Sequence, residues 1–495
     1  MEQKKNGLQR QLSPTHVWAL AFGCIIGWGA FINPGKKFLP HSGVYGTAIA
    51  MALGALVMIV IAFSYAYMVP KFPKAGGEFT FTKNCFGRVP AYLCGWFLVA
   101  AYLTNVPMNS TAIGLIVDGL DGTADILKWG FHYQIAGFDV WCGEMILAMG
   151  ILMLFGWLNI IGVKKAGFIQ TVLAVLLVSS VLCLAVAGLV SSKTCMANMQ
   201  PVWGFDRTTA IMSGVKDSNV SQFANVGTQG IISAILATFA IAPWAFVGFD
   251  TIPQAAEEFN FSTKKVMSIM IIAIIFGAFV YISNNTVAAA ASQYWPERVI
   301  AGDWVLLVAA EEVLGIFGKV LIGVAVSCAV LSGIMGFYLA SSRLMYSMSR
   351  DGYLPKVFSR ISPKYGTPVN AMIFCIIISL SGPILGREAL GWFVDMSAIG
   401  ASIGFFFTCA STLVMLNEKN DAMFPLKGMA LLGAILSFVF VILQLVPIQG
   451  LAGVHFCKQS YHLLLVWILI GLVFFIRQHK YFIADSNYPK MSDNV

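Results

Sequence analysis

Apolar runs of ~20 residues follow one another along the whole chain, with only short polar stretches between them. The runs are continuous rather than alternating. That excludes the period-two pattern of a membrane β-barrel and predicts membrane-spanning helices. Twelve segments are expected, at about 15–38, 44–70, 90–116, 138–161, 166–190, 229–257, 266–291, 320–342, 368–385, 389–416, 428–447 and 461–476. The stretch 295–315 reads as a short helix outside the membrane, and 191–228 as the longest loop.

Two segments break their own pattern. The first carries Gly23, Gly27 and Gly29, then Pro34 and Gly35. The sixth carries Pro243 and Gly248. Inside a helix Gly costs ~1 kcal/mol and Pro ~3 kcal/mol, so both segments are expected to unwind near mid-membrane. Free backbone at that depth is tolerated only where it lines a cavity or protein interior. The breaks fall in the first helix of segments 1–5 and the first helix of segments 6–10. That is the arrangement of an inverted repeat with a central substrate site. Glycines that merely let helices approach closely are the plainer alternative.

Composition agrees with this reading. Of 495 residues, 58% are hydrophobic and 11% charged, which leaves too little polar surface for a soluble enzyme or a disordered scaffold. The net charge of +8 does not call for nucleic acid, because topology accounts for it. With the N-terminus in the cytoplasm, 21 of the 31 Lys and Arg fall on inside segments, as the positive-inside rule requires. The ten Cys form no CxxC pair, and most lie in apolar segments as packing residues. Cys195 and Cys457 fall in loops on one side, where a disulfide is an open option. No phosphate loop, HExxH motif or cluster of His and acids is present, so no enzymatic activity, metal or cofactor is expected. The first residues are polar and basic and run straight into the first segment without a cleavable signal.

Four motifs resemble the amino acid–polyamine–organocation (APC) superfamily. They are Gly23-Cys-Ile-Ile-Gly-Trp-Gly-Ala-Phe31, the Pro70–Phe79 loop with Ala75-Gly76-Gly77-Glu78, the run from Trp244 to Glu257 and Glu258, and Ser342–Pro355 with Arg350-Asp351-Gly352. The resemblance covers about residues 14–480. It implies an all-α integral membrane protein with twelve transmembrane helices and a LeuT-like 5+5 inverted repeat with helices 1 and 6 broken. It also implies alternating access and amino acid or amine substrates. The expected layout is an N-terminal tail 1–14, a first repeat 15–190, an extracellular loop 191–228, a second repeat 229–416, peripheral helices 417–476 and a tail 477–495. Both termini are placed in the cytoplasm of a cell whose plasma membrane the chain spans.

The resemblance also implies site residues. N–H groups near Trp28 and Gly29, in the break that includes Gly27, would hold a substrate carboxylate at a half-helix N-terminus. Carbonyls of Ile25, Trp244 and Val247 would accept from its amine. Trp244 and Phe246 resemble gating aromatics, and Phe337 and Asn105 match site-lining residues of arginine–agmatine exchangers. Trp28 departs from the Ser or Thr of many relatives, and so raises the alternative of an amine without a carboxylate. Asp250 is an ionisable group at membrane depth. It would relay protons, face an ammonium or bond backbone freed by the break. Asp395 reads as structural. Glu257 and Glu258, followed by Lys264 and Lys265, read as a solvated cytoplasmic pair, and Arg343, Arg350 and Asp351 as gate or surface charges. The coupling ion is H+ or Na+, or exchange runs without one. Helix 5 lacks a lysine after Lys165, and a sodium site would need hydroxyls such as Ser327 or Ser332. The expected partners are a small amino acid or amine and the lipid bilayer, with no nucleic acid. A substrate sensor that does not transport is the second alternative.

Overall fold

The computed structural model describes residues 7–121, 125–135, 138–204, 230–387, 389–418, 424–447 and 455–483. Most of the expected loop 191–228 and much of both tails lie outside the described residues. The described chain is helical apart from one small hairpin, β1 (His132–Ile135) paired antiparallel with β2 (Phe138–Trp141). Among the described residues, nine helices are long and apolar enough to cross a membrane.

Three expected segments are in pieces. The first is α1 (Pro14–Ile25), a break, then α2 (Gly29–Asn33) and a π turn at Pro34–Phe38. It runs on into α3 (Leu39–Met68), and the expected gap between segments 1 and 2 is a kink at Gly43. The sixth is α8 (Ile231–Phe239), α9 (Ala242–Ala245) and α10 (Thr251–Gln254). The ninth divides into α15 (Val369–Ser379) and α16 (Ser381–Leu385), where Gly382 and Pro383 interrupt the ladder.

The other elements are α4 (Gly77–Phe86), α5 (Arg88–Asp121), α6 (Cys142–Ile160), α7 (Val163–Val190), α11 (Val266–Ala291), α12 (Trp295–Ala301), α13 (Val305–Leu314), α14 (Ile316–Arg350), α17 (Ala389–Glu418), α18 (Phe424–Leu445) and α19 (Lys458–Ile483). The stretch 295–315, expected as one outer helix, is two, split at Gly302.

The bundle is built around α5, which packs along α14 and α17. Large apolar side chains such as Leu53, Phe168, Leu189, Ile275 and Phe438 stay exposed and supply the surface that lipid would cover. Lipid gives no hydrophobic drive between helices, so buried amides act as clamps. Asn159 donates to Met335 O at 3.3 Å, Asn284 to Ala30 O at 3.0 Å and Asn285 to Gly43 O at 3.3 Å. Asp395 joins α17 to the start of α19, where its Oδ2 accepts from Ser460 Oγ at 2.6 Å.

Candidate functional site

The ladder of α1 ends where Ile26 turns extended (φ −96°, ψ 95°), and Ile26 N donates to Phe22 O. Backbone bonds resume at Ala30 N, which donates to Gly27 O at 3.3 Å, and at Phe31 N, which donates to Trp28 O at 3.0 Å. Gly27, Trp28 and Gly29 thus present their N–H groups at the start of a half-helix with no preceding turn to accept them. The sixth segment unwinds against this point. Gly248 has φ +147°, and a Cβ there would lie 2.5 Å from Ile25 N, so only glycine lets the two broken backbones meet.

Aromatic rings cover the break. Trp28 and Trp244 are both buried, with ring centroids 6.1 Å apart. The Trp244 ring occupies the space a Cβ on Gly29 would need. Phe246 packs on Tyr281 at 6.3 Å, while Phe337 stacks on Tyr102 at 6.3 Å. Val247 is buried in the turn after α9. Ile25 O accepts from Tyr281 OH at 3.4 Å.

Asn105 ties α5 to α17: its Nδ2 donates to Ala101 O at 2.7 Å and to Ser397 Oγ at 2.6 Å. Its neighbour one turn on, Asn109, is the amide aimed at the break. A Cβ on Gly27 would sit 3.2 Å from Asn109 Oδ1, which has no hydrogen-bond partner. It lies four residues after Asn105, on the same helix face.

Asp250 is buried, and its bonds go to backbone and tyrosine. Oδ1 accepts from Gly248 N at 2.7 Å, and Oδ2 accepts from Tyr102 OH at 3.0 Å. Tyr102 also approaches Glu78 Oε1, at 3.4 Å. Glu78, fully buried in the first turn of α4, takes Tyr65 OH at 2.7 Å and Gln254 Nε2 at 2.5 Å. Burial, with Asp250 adding to it, holds the Glu78 carboxyl above the usual carboxylate range. In the sequence Glu78 is one residue of a loop motif, with nothing to single it out.

The face that carries residues 7–12 is closed. Glu258 is fully buried and bidentate to Arg343, at 2.9 and 3.2 Å, and is not a solvated partner of Lys264 or Lys265. Burial pushes its carboxyl up, and the guanidinium offsets that only in part. Glu257 pairs with Arg350 at 2.9 Å and accepts from Ala75 N at 3.2 Å. Lys83 pairs with Asp351 at 2.7 Å. The N-terminal segment lies across this seam: Gln11 N and Leu12 N donate to Glu258 O, both at 2.9 Å, and Asn260 N donates to Leu12 O at 3.0 Å.

The opposite face holds a cavity of about 550 Å³ beside the second half of the first segment, lined by Ile32, Lys36, Asp118, Trp304, Lys319 and Arg387 among others. Arg387 bridges Asp118 and Glu144 at its wall.

Between the first segment and α14, Ser332 Oγ donates to Gly23 O at 3.2 Å. The Gln170 amide of α7 donates to Ala19 O and to Ser332 O, both at 3.2 Å. Cys195 and Cys457 are both free thiols. No group of three or more His, Cys, Asp or Glu placed to hold a metal occurs among the described residues.

Broken apolar helices that meet across a buried seam, with a cavity on one side and ion pairs on the other, define a multi-pass membrane protein built to handle a small solute. Residues 12–475 match the family model described as amino acid permease, and the chain belongs to that family. The branched-chain amino acid permease BcaP of Bacillus subtilis is 25% identical, covering 99% of this chain and 96% of its own. The human large neutral amino acids transporter small subunit 2 is 25% identical over 85% of this chain and 72% of its own. The methylthioribose transporter of B. subtilis is 24% identical over 98% and 97%. The family and these relatives are permeases and transporters, not enzymes.

Proposed function

We propose that this chain is a secondary active transporter of neutral α-amino acids, working by alternating access in the plasma membrane. The observation that carries it is the start of the second half-helix. The N–H groups of Gly27, Trp28 and Gly29 form a carboxylate cradle at a positive dipole end. The carbonyls of Ile25, Trp244 and Val247 are the acceptors for the amine, and Trp28 and Trp244 wall the side chain with apolar surface. The names of the branched-chain and large neutral amino acid relatives point the same way. The alternative of a polyamine or other carboxylate-free amine needs a free anion at the site. Asp250, the candidate for it, is fully buried and bonded to Gly248 N and Tyr102.

In this reading the fold is the twelve-span, LeuT-like inverted repeat, with 15–190 and 229–416 as its halves and both termini cytoplasmic. The ion-paired seam at Glu257, Glu258, Arg343 and Arg350 is the closed cytoplasmic gate, and the cavity at Trp304 and Arg387 is the outer vestibule. Trp244, Phe246 and Phe337 are the aromatics that move as access alternates, and Asn105 holds α5 to α17 behind the site. The Gln170 amide occupies carbonyls of the first segment and α14 near where a sodium ion would bind, which favours H+ coupling or exchange over Na+.

The test is a panel of leucine, lysine and putrescine against the purified protein. A ligand that binds only the folded state raises its stability by about 2.7 kcal/mol at a hundred times Kd. Leucine is expected to stabilise the protein and to enter proteoliposomes whether or not sodium is present. Putrescine alone stabilising it would overturn the neutral amino acid reading. Binding without uptake would leave a sensor on the same scaffold.

A further inference from the structure

Two carboxyl groups lie side by side in the interior, and among the described residues no cation stands between them. Glu78 and Asp250 are both fully buried, and the Tyr102 hydroxyl stands between them, 3.4 Å from Glu78 Oε1 and 3.0 Å from Asp250 Oδ2. Their other hydrogen-bond partners are neutral: Tyr65 OH from α3, Gln254 Nε2 from α10 and Gly248 N. Three further groups beside the pair, among the described residues, are also uncharged. They are Cys24 of α1 beside Asp250, Cys94 of α5 beside Glu78, and Thr408 of α17 beside Tyr65. The guanidiniums of α14 are committed elsewhere, Arg343 to Glu258 and Arg350 to Glu257. Two buried like charges with no counter-ion are strongly disfavoured, and one proton removes the conflict.

We propose that Glu78 and Asp250 form a proton-binding site, an acid–carboxylate pair bridged by Tyr102, which takes one proton from the N-terminal face. The geometry allows the proton to be shared. Glu78 O–H donates to the Tyr102 oxygen while Tyr102 donates its own proton to Asp250 Oδ2. A transfer moves one proton along each link and leaves the tyrosine neutral.

The access route is equally specific. Glu78 follows Ala75, Gly76 and Gly77, and Ala75 is held by Glu257 through its N–H and by Ser347 Oγ through its carbonyl at 2.6 Å. Opening the Glu257–Arg350 pair frees this turn and wets Glu78. Proton exchange at the pair therefore accompanies opening of that face. The site deepens the transporter reading but does not depend on which solute is carried.

The experiment is pH-titrated infrared difference spectroscopy on the purified full chain in lipid nanodiscs, with no substrate added. The expected result is a carboxylic acid carbonyl band that persists above the usual carboxylate range. It disappears in Glu78→Gln and titrates at lower pH in Asp250→Asn. Tyr102→Phe, which keeps both carboxyls, shifts its midpoint and serves if Glu78→Gln does not fold. No acid band in the wild type overturns the site, as does a band unchanged by Asp250→Asn and Tyr102→Phe alike. Because no solute is involved, failure here leaves the leucine result standing, and failure to transport leucine leaves this result standing.

Discussion

The indole of Trp244 rests directly on Gly29, so close that a single methyl group on Gly29 would overlap its six-membered ring. One contact thus joins the two broken segments: a backbone from the first, left bare by glycine, and a ring from the sixth that fills the gap. The contact sits on the N–H groups proposed to bind the carboxylate. A substitution there acts on binding before it acts on folding.

Gly29→Ala is therefore expected to displace the Trp244 ring and weaken leucine binding at least tenfold, about 1.4 kcal/mol. Gly29→Leu is expected to abolish uptake while the protein still inserts and purifies. Trp244→Ala in the Gly29→Ala background removes the clash, and partial recovery of binding would show that the ring transmits the effect. Isothermal titration and proteoliposome uptake read both. Normal uptake by Gly29→Leu would remove Gly29 from the site.

Arg343 and Glu258 make the same kind of test at the closed face. Arg343→Ala strands a fully buried carboxylate, and breaking such a pair costs about 3–5 kcal/mol. The expected outcome is a large drop in thermal midpoint. Replacing both partners by Met is expected to recover much of it, because the desolvation cost of two charges is removed as well. A single Arg343→Ala variant as stable as wild type would mean the pair opens to water in solution.

The N-terminal segment offers a separate handle on this face. Leu12 is buried and lies against the backbone of Phe259. Leu12→Ala is expected to cost roughly 2–5 kcal/mol locally and to loosen the seam. Ser347→Cys, at a fully buried position that bonds Ala75 O, reports the loosening through its rate of thiol modification. That rate is expected to rise at least tenfold when Leu12→Ala is added. An unchanged rate would show that residues 7–12 do not help close the face.

The raised Glu78 carboxyl gives a pH dependence with a defined sign. The folded protein keeps a proton that the unfolded chain has released at the ordinary carboxylate value. The associated stability is full below the unfolded value and is lost as pH rises through the higher folded one. The thermal midpoint is expected to fall across that window in wild type and to stay flat in Glu78→Gln. A wild-type midpoint that rises there would reverse the assignment.

Much of the architecture was legible from residues alone. Apolar runs too long and too continuous for a soluble core specify spanning helices, because the bilayer leaves backbone groups no other partner. Gly and Pro at Gly27, Gly29, Pro243 and Gly248 mark where ladders fail, since propensity is a local property of each residue. The order of four motifs was enough to point to the family. What the linear pattern could not supply were the partners. Glu258 reads as solvated beside Lys264 and Lys265, yet it pairs with Arg343, 85 residues away. Asp250 reads as a proton relay, an ammonium partner or a bond to freed backbone, and its partners Gly248 N and Tyr102 appear only in the fold. Asn109, Gln170 and Glu78 carry no signature that separates them from other buried polar residues until the helices that face them are in place. Hydrophobic spacing and helix breaks are short-range, so the sequence by itself determined that this is a bundle of membrane helices with its first and sixth segments interrupted; the break in the ninth came from the structure. Charge pairing and polar satisfaction are long-range, so only the tertiary structure decided which face is closed, which cavity is open and which carboxyls share a neighbour.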